Sequence, residues 1–136
     1  MSSQIPEDMV ETVKNLEKEA SRCLSRGNYT LAERIYDAIF LSLLERQYVE
    51  KRRIHLGAPL HMKGLSFLLQ NNFNLGLKSI LLAYITDIVG NPLGKEDKAD
   101  EFPAHNVLLT FFGVTEKTFE ELKIMSREIK NRTQPF

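Results

Sequence analysis

The stretch from Pro59 to Val89 constrains the fold more than any other part of the chain. Two apolar segments with helical spacing flank a short polar run at residues 70–74. Proline is tolerated in the first turn of a helix, so Pro59 marks a helix start, while Gly90 before Asn91-Pro92 marks a helix end. The polar run shows no strand pattern and is too short for a crossover connection, so the two helices are predicted to lie antiparallel.

A similar pattern occurs 44 positions earlier in the chain. The coincident pairs are Ala20 with Gly64, Leu24 with Leu68, Gly27 with Asn71, Asn28 with Asn72, Tyr29 with Phe73, Ala32 with Gly76, Tyr36 with Ile80 and Phe40 with Tyr84. The small residues are expected where two helices cross closely, and the aromatic residue after each turn is expected to be wedged between them. Stacked hairpins of this kind bury a continuous core, so the pattern predicts a helical repeat.

At these residues the chain resembles the tetratricopeptide repeat family. The signature consists of the small residue Ala20 followed by Leu24, Gly27-Asn28-Tyr29, Ala32 and Tyr36, and residues 64–83 form a degenerate second copy. The resemblance covers residues 16–89 and implies helical hairpins that bind a peptide or a partner protein. The period exceeds the usual value of about 34, and Asn71 replaces the turn glycine. The extra length is expected in a longer second helix and in the connection 47–58.

The chain is predicted to form three antiparallel hairpins, at residues 6–53, 59–90 and 103–132, with a charged loop between the last two. Thr115 is expected to cap the final helix, and the third hairpin to cover the end of the array. The apolar residues expected to point inward in that hairpin are Val107, Leu108, Phe111, Phe112, Phe119, Leu122, Met125 and Ile129. No segment alternates with a period of two. The fold class is therefore a single all-α domain, a short tetratricopeptide-like array of about six helices.

Composition narrows the classes of function. Lys plus Arg and Asp plus Glu both number 18, so the chain lacks the overall basic field typical of nucleic-acid-binding proteins. The single cysteine, Cys23, lies on the apolar face of the first helix and is expected to be a buried apolar residue. The first six residues resemble no signal peptide, and no apolar run is long enough to span a membrane. A cytoplasmic protein without membrane contact is expected.

Cations and histidines concentrate between the second and third helices, at Lys51, Arg52, Arg53, His55 and His61. One interpretation is structural, because cations in the last turn of a helix interact favourably with its dipole. The other is a local anion site, in which the cations and the free N–H groups of the third helix bind a phosphate or a carboxylate. These five residues are the predicted binding residues, with Asn28 or Asn72 as further polar anchors.

A catalytic alternative uses the antiparallel pairing of the third and fourth helices. His61 should lie level with Tyr84 and Asp87, so Asp87 could orient His61 while Tyr84 supplies a hydroxyl. Arg53 or His55 would be the electrophile, a set compatible with general acid–base cleavage of a phosphodiester. The HEPN ribonucleases are helical proteins in which an Arg is followed closely by a His. In this chain seven residues separate Arg53 from His61, so the spacing does not match that family.

No cofactor or metal site is predicted. His55 and His61 are not spaced for one helix face, no Cys or carboxylate cluster accompanies them, and no glycine-rich phosphate loop is present. His105 is expected on the surface. The sequence therefore favours a noncatalytic interaction module or adaptor that binds a protein or peptide. The alternatives are a small helical ribonuclease or nucleotide-handling protein centred on His61, Asp87 and Arg53, and a structural subunit that self-associates through apolar surface.

Overall fold

The computed structural model describes residues 7–90 and 96–132. Its α-helices are α1 (Glu7–Ser25), α2 (Tyr29–Glu50), α3 (Gly57–Leu69), α4 (Phe73–Val89), α5 (Pro103–Thr110) and α6 (Glu116–Arg132), with a 3₁₀ helix at Glu96–Glu101. These ranges contain no strand, and the prediction of an all-α chain with six helices is confirmed. The predicted start at Pro6 and breaker at Pro92 lie outside the described residues. Within those residues, no helix combines the length and the apolar character needed to cross a membrane.

The α1–α2 and α3–α4 turns have the same backbone geometry. Gly27 and Asn71 both adopt the left-handed conformation, with φ of 79° and 61°. The Gly27 amide donates to the carbonyl of Leu24 (3.2 Å), and the Asn71 amide donates to the carbonyl of Leu68 (2.9 Å). Glycine enters this conformation without steric cost, and asparagine is one of the few other residues that does so readily. The 44-residue offset therefore aligns two equivalent turns.

The residue after each turn caps the following helix. The Asn28 side chain accepts a hydrogen bond from the Leu31 amide (3.4 Å), and the Asn72 side chain accepts one from the Leu75 amide (3.3 Å). Each asparagine satisfies a helix N–H that has no partner within its own helix. These caps explain why α2 and α4 begin where they do.

Glycines allow α3 and α4 to cross closely. A Cβ added to Gly64 would lie 2.6 Å from Ile80 Cδ1, and one added to Gly76 would lie 2.6 Å from Leu68 Cδ2. Each added Cβ would also lie 3.3 Å from the carbonyl oxygen of the other glycine. The close crossing predicted for the small residues is therefore present in this hairpin.

The core has two parts. The N-terminal part lies between α1 and α2 and consists of Ala20, Cys23, Ala32, Tyr36 and Ile39. The larger part surrounds α4 and consists of Leu60, Ile80, Ala83, Tyr84, Ile88, Ala99, Ala104, Leu108 and Phe119. Cys23 is buried with a free thiol, as the apolar periodicity of α1 predicts.

The C-terminal helices pack chiefly on α4. The prediction that their apolar residues point inward is wrong at three positions. Phe111, Met125 and Ile129 expose 57%, 40% and 37% of their surface. The face of α6 that meets the core instead carries Phe119 and Ser126, which are seven residues apart and share one side of the helix. Ser126 fits there because its hydroxyl donates to the Leu122 carbonyl within the helix (2.6 Å).

The prediction that Phe73, after the second turn, lies between α3 and α4 is also wrong. Phe73 is half exposed, and its ring lies 6.0 Å from that of Phe111 instead of between α3 and α4. Tyr29, its counterpart after the first turn, is partly buried. The direct approach of Gly64 and Gly76 leaves no space for a ring between the second pair of helices.

Candidate functional site

The helix α2 ends at Glu50, three residues before the predicted end at Arg53. Lys51 follows in the left-handed conformation (φ 52°) and is exposed. The Glu50 carboxylate is almost fully buried and engages two cations: Arg52 Nε lies 3.1 Å from Oε1, and Arg46 Nε lies 3.5 Å from Oε2. Arg52, which belongs to the predicted cation cluster, thus has its charge neutralised by Glu50.

An internal carboxylate lies at the start of α3. This helix begins at Gly57, two residues before Pro59, and its cap residue Leu56 makes no side-chain hydrogen bond. The carboxyl group of Asp87, on α4, contacts Gly57 in the position that a Cβ would occupy. A negative charge near a helix N-terminus is favourable. The helix start proposed from the sequence to bind an external anion is therefore next to an anion of the protein itself.

His55 is the histidine that pairs with Asp87. His55 Nε2 lies 3.4 Å from Asp87 Oδ1, with the His55 side chain 66% exposed and the Asp87 side chain only 10% exposed. Burial raises the pKa of Asp87 to about 6, and the charge of His55 acts in the opposite direction. The pair joins the α2–α3 connection to the C-terminal half of α4.

His61 lies one residue from the position opposite Tyr84. The contacts Gly57–Asp87 and Gly64–Ile80 define one antiparallel register, which places residue 60 opposite residue 84. Burial lowers the pKa of His61, and its Nδ1 is buried without a hydrogen-bond partner. Among the described residues, Tyr84 Oη is also buried without a hydrogen-bond partner, whereas Asp87 Oδ1, which makes no hydrogen bond, lies within ion-pair distance of His55. Buried polar atoms without a hydrogen bond are uncommon in proteins.

Tyr84 faces the C-terminal helices. Its ring centroid lies 5.5 Å from that of Phe119, 6.3 Å from that of His105 and 6.4 Å from that of Phe102. His105 is partly buried and stacks on Phe119 at 4.2 Å, so its predicted position on the surface is only half right. The Tyr84 ring therefore belongs to an aromatic cluster under α5 and α6, whereas the Asp87 carboxyl points to α3.

A groove runs between α1 and α3, which both pack on α2. It consists of two cavities of about 220 and 180 Å³ that share Glu17 and Leu43 as lining residues. The remaining lining residues are Val10, Val13 and Lys14 of α1, Tyr36, Ile39, Ser42 and Arg46 of α2, and His55, Ala58, Pro59 and Met62 of the connection and α3. We call this surface the α1–α3 groove. The wide apolar stripe of α2 is the sequence signal that could have revealed its floor.

A second apolar groove lies on the other side of the array, and Arg53 is part of it. This cavity of about 300 Å³ is lined by Phe40, Leu44, Gln47, Arg53, Ile54, Leu56, Leu82, Ile85, Thr86, Val89, Gly90 and Ile129. Of the predicted site residues, His55 thus lines one groove and Arg53 the other. We call the second surface the α2–α4 groove.

The function of these surfaces is indicated neither by a metal-binding group in the described residues nor by similarity to a known protein. Among residues 7–90 and 96–132, no three His, Cys, Asp or Glu side chains are grouped so that they could hold a metal ion. Comparison of the chain with protein-family models, curated proteins and solved structures gave no match. Inference about function therefore rests on the residues and their geometry.

Proposed function

We propose that this protein is a noncatalytic interaction module that binds a peptide or a segment of a partner protein in the α1–α3 groove. The observation that carries the proposal is the pair of adjoining cavities along α2, where Val10 and Leu43 remain partly exposed beside the buried side chains of Tyr36 and Ile39. Apolar surface of this kind, bordered by polar residues, is typical of protein interaction sites.

The dimensions and charges of the groove favour a peptide over a small metabolite. Its two cavities, about 220 and 180 Å³, are each smaller than the roughly 300–1,000 Å³ of common ligand pockets, and they lie side by side. The rim carries Lys14 and Arg46 as well as Glu17. The proposed occupant is therefore an amphipathic segment that places successive apolar side chains in the two cavities and charges of both signs on the rim.

The resemblance to tetratricopeptide repeats supports the same role. Two equivalent turns, at Gly27-Asn28 and Asn71-Asn72, and the close approach of α3 and α4 at Gly64 and Gly76 support a duplicated hairpin of that type. In this proposal the protein is an adaptor in the cytoplasm, where the free thiol of Cys23 would remain reduced.

Selection from a random peptide library displayed on phage tests the proposal. The full chain should enrich amphipathic peptides, and Val10→Glu should weaken their binding about tenfold because it places a charge on the apolar wall of the groove. Val49→Glu is the matched control, since Val49 is 72% exposed on α2 and does not line the groove. Enrichment of no peptide, or equal weakening by both variants, would overturn the proposal.

A second candidate is the small helical ribonuclease. It is favoured by His61, whose Nδ1 is buried without a hydrogen-bond partner among the described residues and could be satisfied by a substrate. Cleavage of single-stranded RNA that is abolished by His61→Ala, with an unchanged circular dichroism spectrum, would establish it. Activity that persists in this variant would exclude His61 as the catalytic base.

A third candidate, self-association, is favoured by the α2–α4 groove. Leu82 is 47% exposed and lines this groove together with Ile129 and Val89. If a second copy covers this surface, light scattering should report a dimer that Leu82→Glu converts to a monomer. A monomeric wild-type chain at high concentration would rule out this role.

A further inference from the structure

The two cavities of the α1–α3 groove differ in the residues that line them. The cavity of about 220 Å³ is formed by α1 and α2 alone. The cavity of about 180 Å³ also reaches the α2–α3 connection and α3, and we call it the α3 cavity. Three of its lining residues are polar, namely Glu17 of α1, Tyr36 of α2 and His55 of the connection. These three side chains decide which residue of a bound peptide the α3 cavity fits.

Tyr36 is a buried residue that brings a polar group to the α3 cavity. Only 7% of its surface is exposed, and its hydroxyl makes no hydrogen bond to any residue in the described ranges. Most polar groups of buried residues have a hydrogen-bond partner. A polar group that enters the α3 cavity would supply the partner that the Tyr36 hydroxyl lacks.

Glu17 adds a negative charge beside this hydroxyl. Its side chain lines both cavities, is exposed, and forms no ion pair with a cation in the described part of the chain. Burial raises the pKa of Tyr36, and the charge of Glu17 raises it further. The Tyr36 hydroxyl therefore remains neutral, and its lone pairs and the Glu17 carboxylate offer acceptors to the same occupant.

His55 adds little positive charge to the α3 cavity. Its Nε2 lies 3.4 Å from Oδ1 of Asp87, whose side chain is only 10% exposed. No lysine or arginine of residues 7–90 and 96–132 lines the α3 cavity, whereas Lys14 and Arg46 line the neighbouring cavity. The charge of the α3 cavity is therefore complementary to a cationic occupant.

The rest of the lining of the α3 cavity is apolar and consists of Ile39, Leu43, Ala58, Pro59 and Met62. Lysine and arginine side chains combine an aliphatic stem, which packs against such a surface, with a charged tip. A small inorganic cation makes no use of the apolar lining, and a purely apolar side chain leaves the Tyr36 hydroxyl without a partner. A basic side chain matches both parts of the cavity.

We infer that the α3 cavity binds a lysine or arginine side chain of the peptide that occupies the α1–α3 groove, with its charged tip between the Glu17 carboxylate and the Tyr36 hydroxyl. This inference rests on the proposed function and specifies its ligand. The partner segment carries an apolar residue for the neighbouring cavity and a nearby basic residue for the α3 cavity. The side chain in the α3 cavity is then apolar only along its stem.

Selection from a random peptide library on phage, repeated with variants of the full chain, tests this inference. The wild type should enrich amphipathic peptides with lysine or arginine at one fixed position. The double variant Glu17→Gln with Tyr36→Phe should lose this preference, because it removes the charge and the hydroxyl but nearly keeps the size of both side chains. Glu11→Gln is the matched control and should keep the preference, since Glu11 is exposed on α1 and lines neither cavity.

Fluorescence anisotropy with one selected peptide measures the contribution of its basic residue. Replacement of that residue by norleucine, which keeps an aliphatic stem without charge, should weaken binding to the wild type about tenfold, because charge-assisted contacts are lost. The same replacement should change binding to the double variant by less than about twofold. Circular dichroism verifies that the double variant is folded. Glu17→Gln alone, which changes only an exposed side chain, should reduce the effect of norleucine in the same direction.

The outcomes separate a failure of this inference from a failure of the proposed function. Enrichment of no peptide by the wild type would overturn the proposed function and this inference with it. Enrichment of amphipathic peptides that have no basic position, or an acidic residue there, would overturn this inference alone. An equal loss of affinity on norleucine replacement in the wild type and in the double variant would do the same.

Discussion

The first hairpin, α1 with α2, and the second, α3 with α4, share the geometry of their turns, but one pair of aligned positions has opposite consequences in the two hairpins. The 44-residue offset that aligns the turns also aligns Val13 with Gly57 and Leu43 with Asp87. In the first hairpin, Val13 and Leu43 line a cavity of about 220 Å³. In the second, the Asp87 carboxyl contacts Gly57 directly, in the space that a Cβ would fill.

This difference shows how one architecture can produce an open surface and a closed one. Apolar side chains at the first pair form the wall and floor of the α1–α3 groove. A glycine and a carboxylate at the second pair bring α4 against the start of α3, where the charge lies near the helix N-terminus. The two hairpins therefore share the geometry of their turns, while the side chains at this pair of positions differ in whether they leave a cavity.

The largest effect is expected where the second hairpin is most tightly packed. Gly64→Leu should lower the free energy of unfolding by about 3 kcal/mol, because its side chain would overlap Ile80 and the Gly76 backbone. Urea denaturation measures this change. Ala38→Leu, at an exposed position on α2, is the control and should alter stability by no more than about 0.5 kcal/mol. A loss below about 1 kcal/mol for Gly64→Leu would contradict the close crossing.

Replacing Gly57 alone should destabilise the fold more than replacing Gly57 and Asp87 together by the residues of the first hairpin. Gly57→Val, which introduces the residue of the first hairpin, should cost about 2 kcal/mol because it displaces the Asp87 carboxyl. Adding Asp87→Leu should restore about 1 kcal/mol, since the first hairpin accommodates Val13 and Leu43 together. Strictly additive losses in this double-mutant cycle would show that the two positions do not interact.

Only the second hairpin should carry a pH dependence at this pair. The pKa of Asp87 is raised from 3.8 to about 6, so the folded chain binds the proton more tightly than the unfolded chain. The resulting stabilisation is complete below pH 3.8 and is lost as the pH rises through about 6, a change on the order of 2–3 kcal/mol. Asp87→Asn should remove this slope from urea denaturation at pH 4 to 7, whereas Leu43→Ala should retain it.

Both turns should be most stable with glycine at their left-handed position. Gly27→Ala should cost about 1 kcal/mol, purely through its left-handed backbone, because an added Cβ there has no atom within 4 Å. Asn71→Gly, which gives the second turn the residue of the first, should gain about 0.5 kcal/mol. Thermal unfolding of both variants tests the equivalence of the turns, and a destabilising Asn71→Gly would refute it.

The smallest effect on stability is expected for Tyr84→Phe, which gives the second hairpin an aromatic residue like Phe40 of the first. Tyr84→Phe removes a buried hydroxyl that has no hydrogen-bond partner, so it should leave stability unchanged or raise it by about 0.5 kcal/mol. A loss greater than about 1 kcal/mol, measured by urea denaturation, would show that the hydroxyl makes a stabilising contact.

The sequence predicts the helices and turns well because their determinants are local. Left-handed residues and asparagine caps set both turns, and these residues are visible in the sequence. The ends of α2 and α3 were less predictable: α2 ends early at Glu50, whose carboxylate pairs with Arg46 and Arg52, and α3 starts early at Gly57. Both shifts depend on contacts that the periodicity of apolar residues does not encode.

The arrangement of the predicted site residues could be predicted only in part from the sequence, for a similar reason. Helical spacing placed His61 level with Tyr84, but it could not specify the direction of each side chain around α4. Asp87 points to Gly57 and His55, while Tyr84 points to Phe119. The α1–α3 groove has no sequence motif, because it is assembled from residues of α1, α2 and α3 and of the connection between α2 and α3.

The sequence by itself determined the all-α class, the two equivalent turns and the close crossing of α3 and α4, since these follow from backbone conformation and residue size along short segments. Only the tertiary structure decided that α6 buries Ser126 instead of Met125, that Asp87 pairs with His55, and which surfaces remain open. Those outcomes depend on how helices distant in sequence rotate and pack against one another, where competing contacts differ by small free energies.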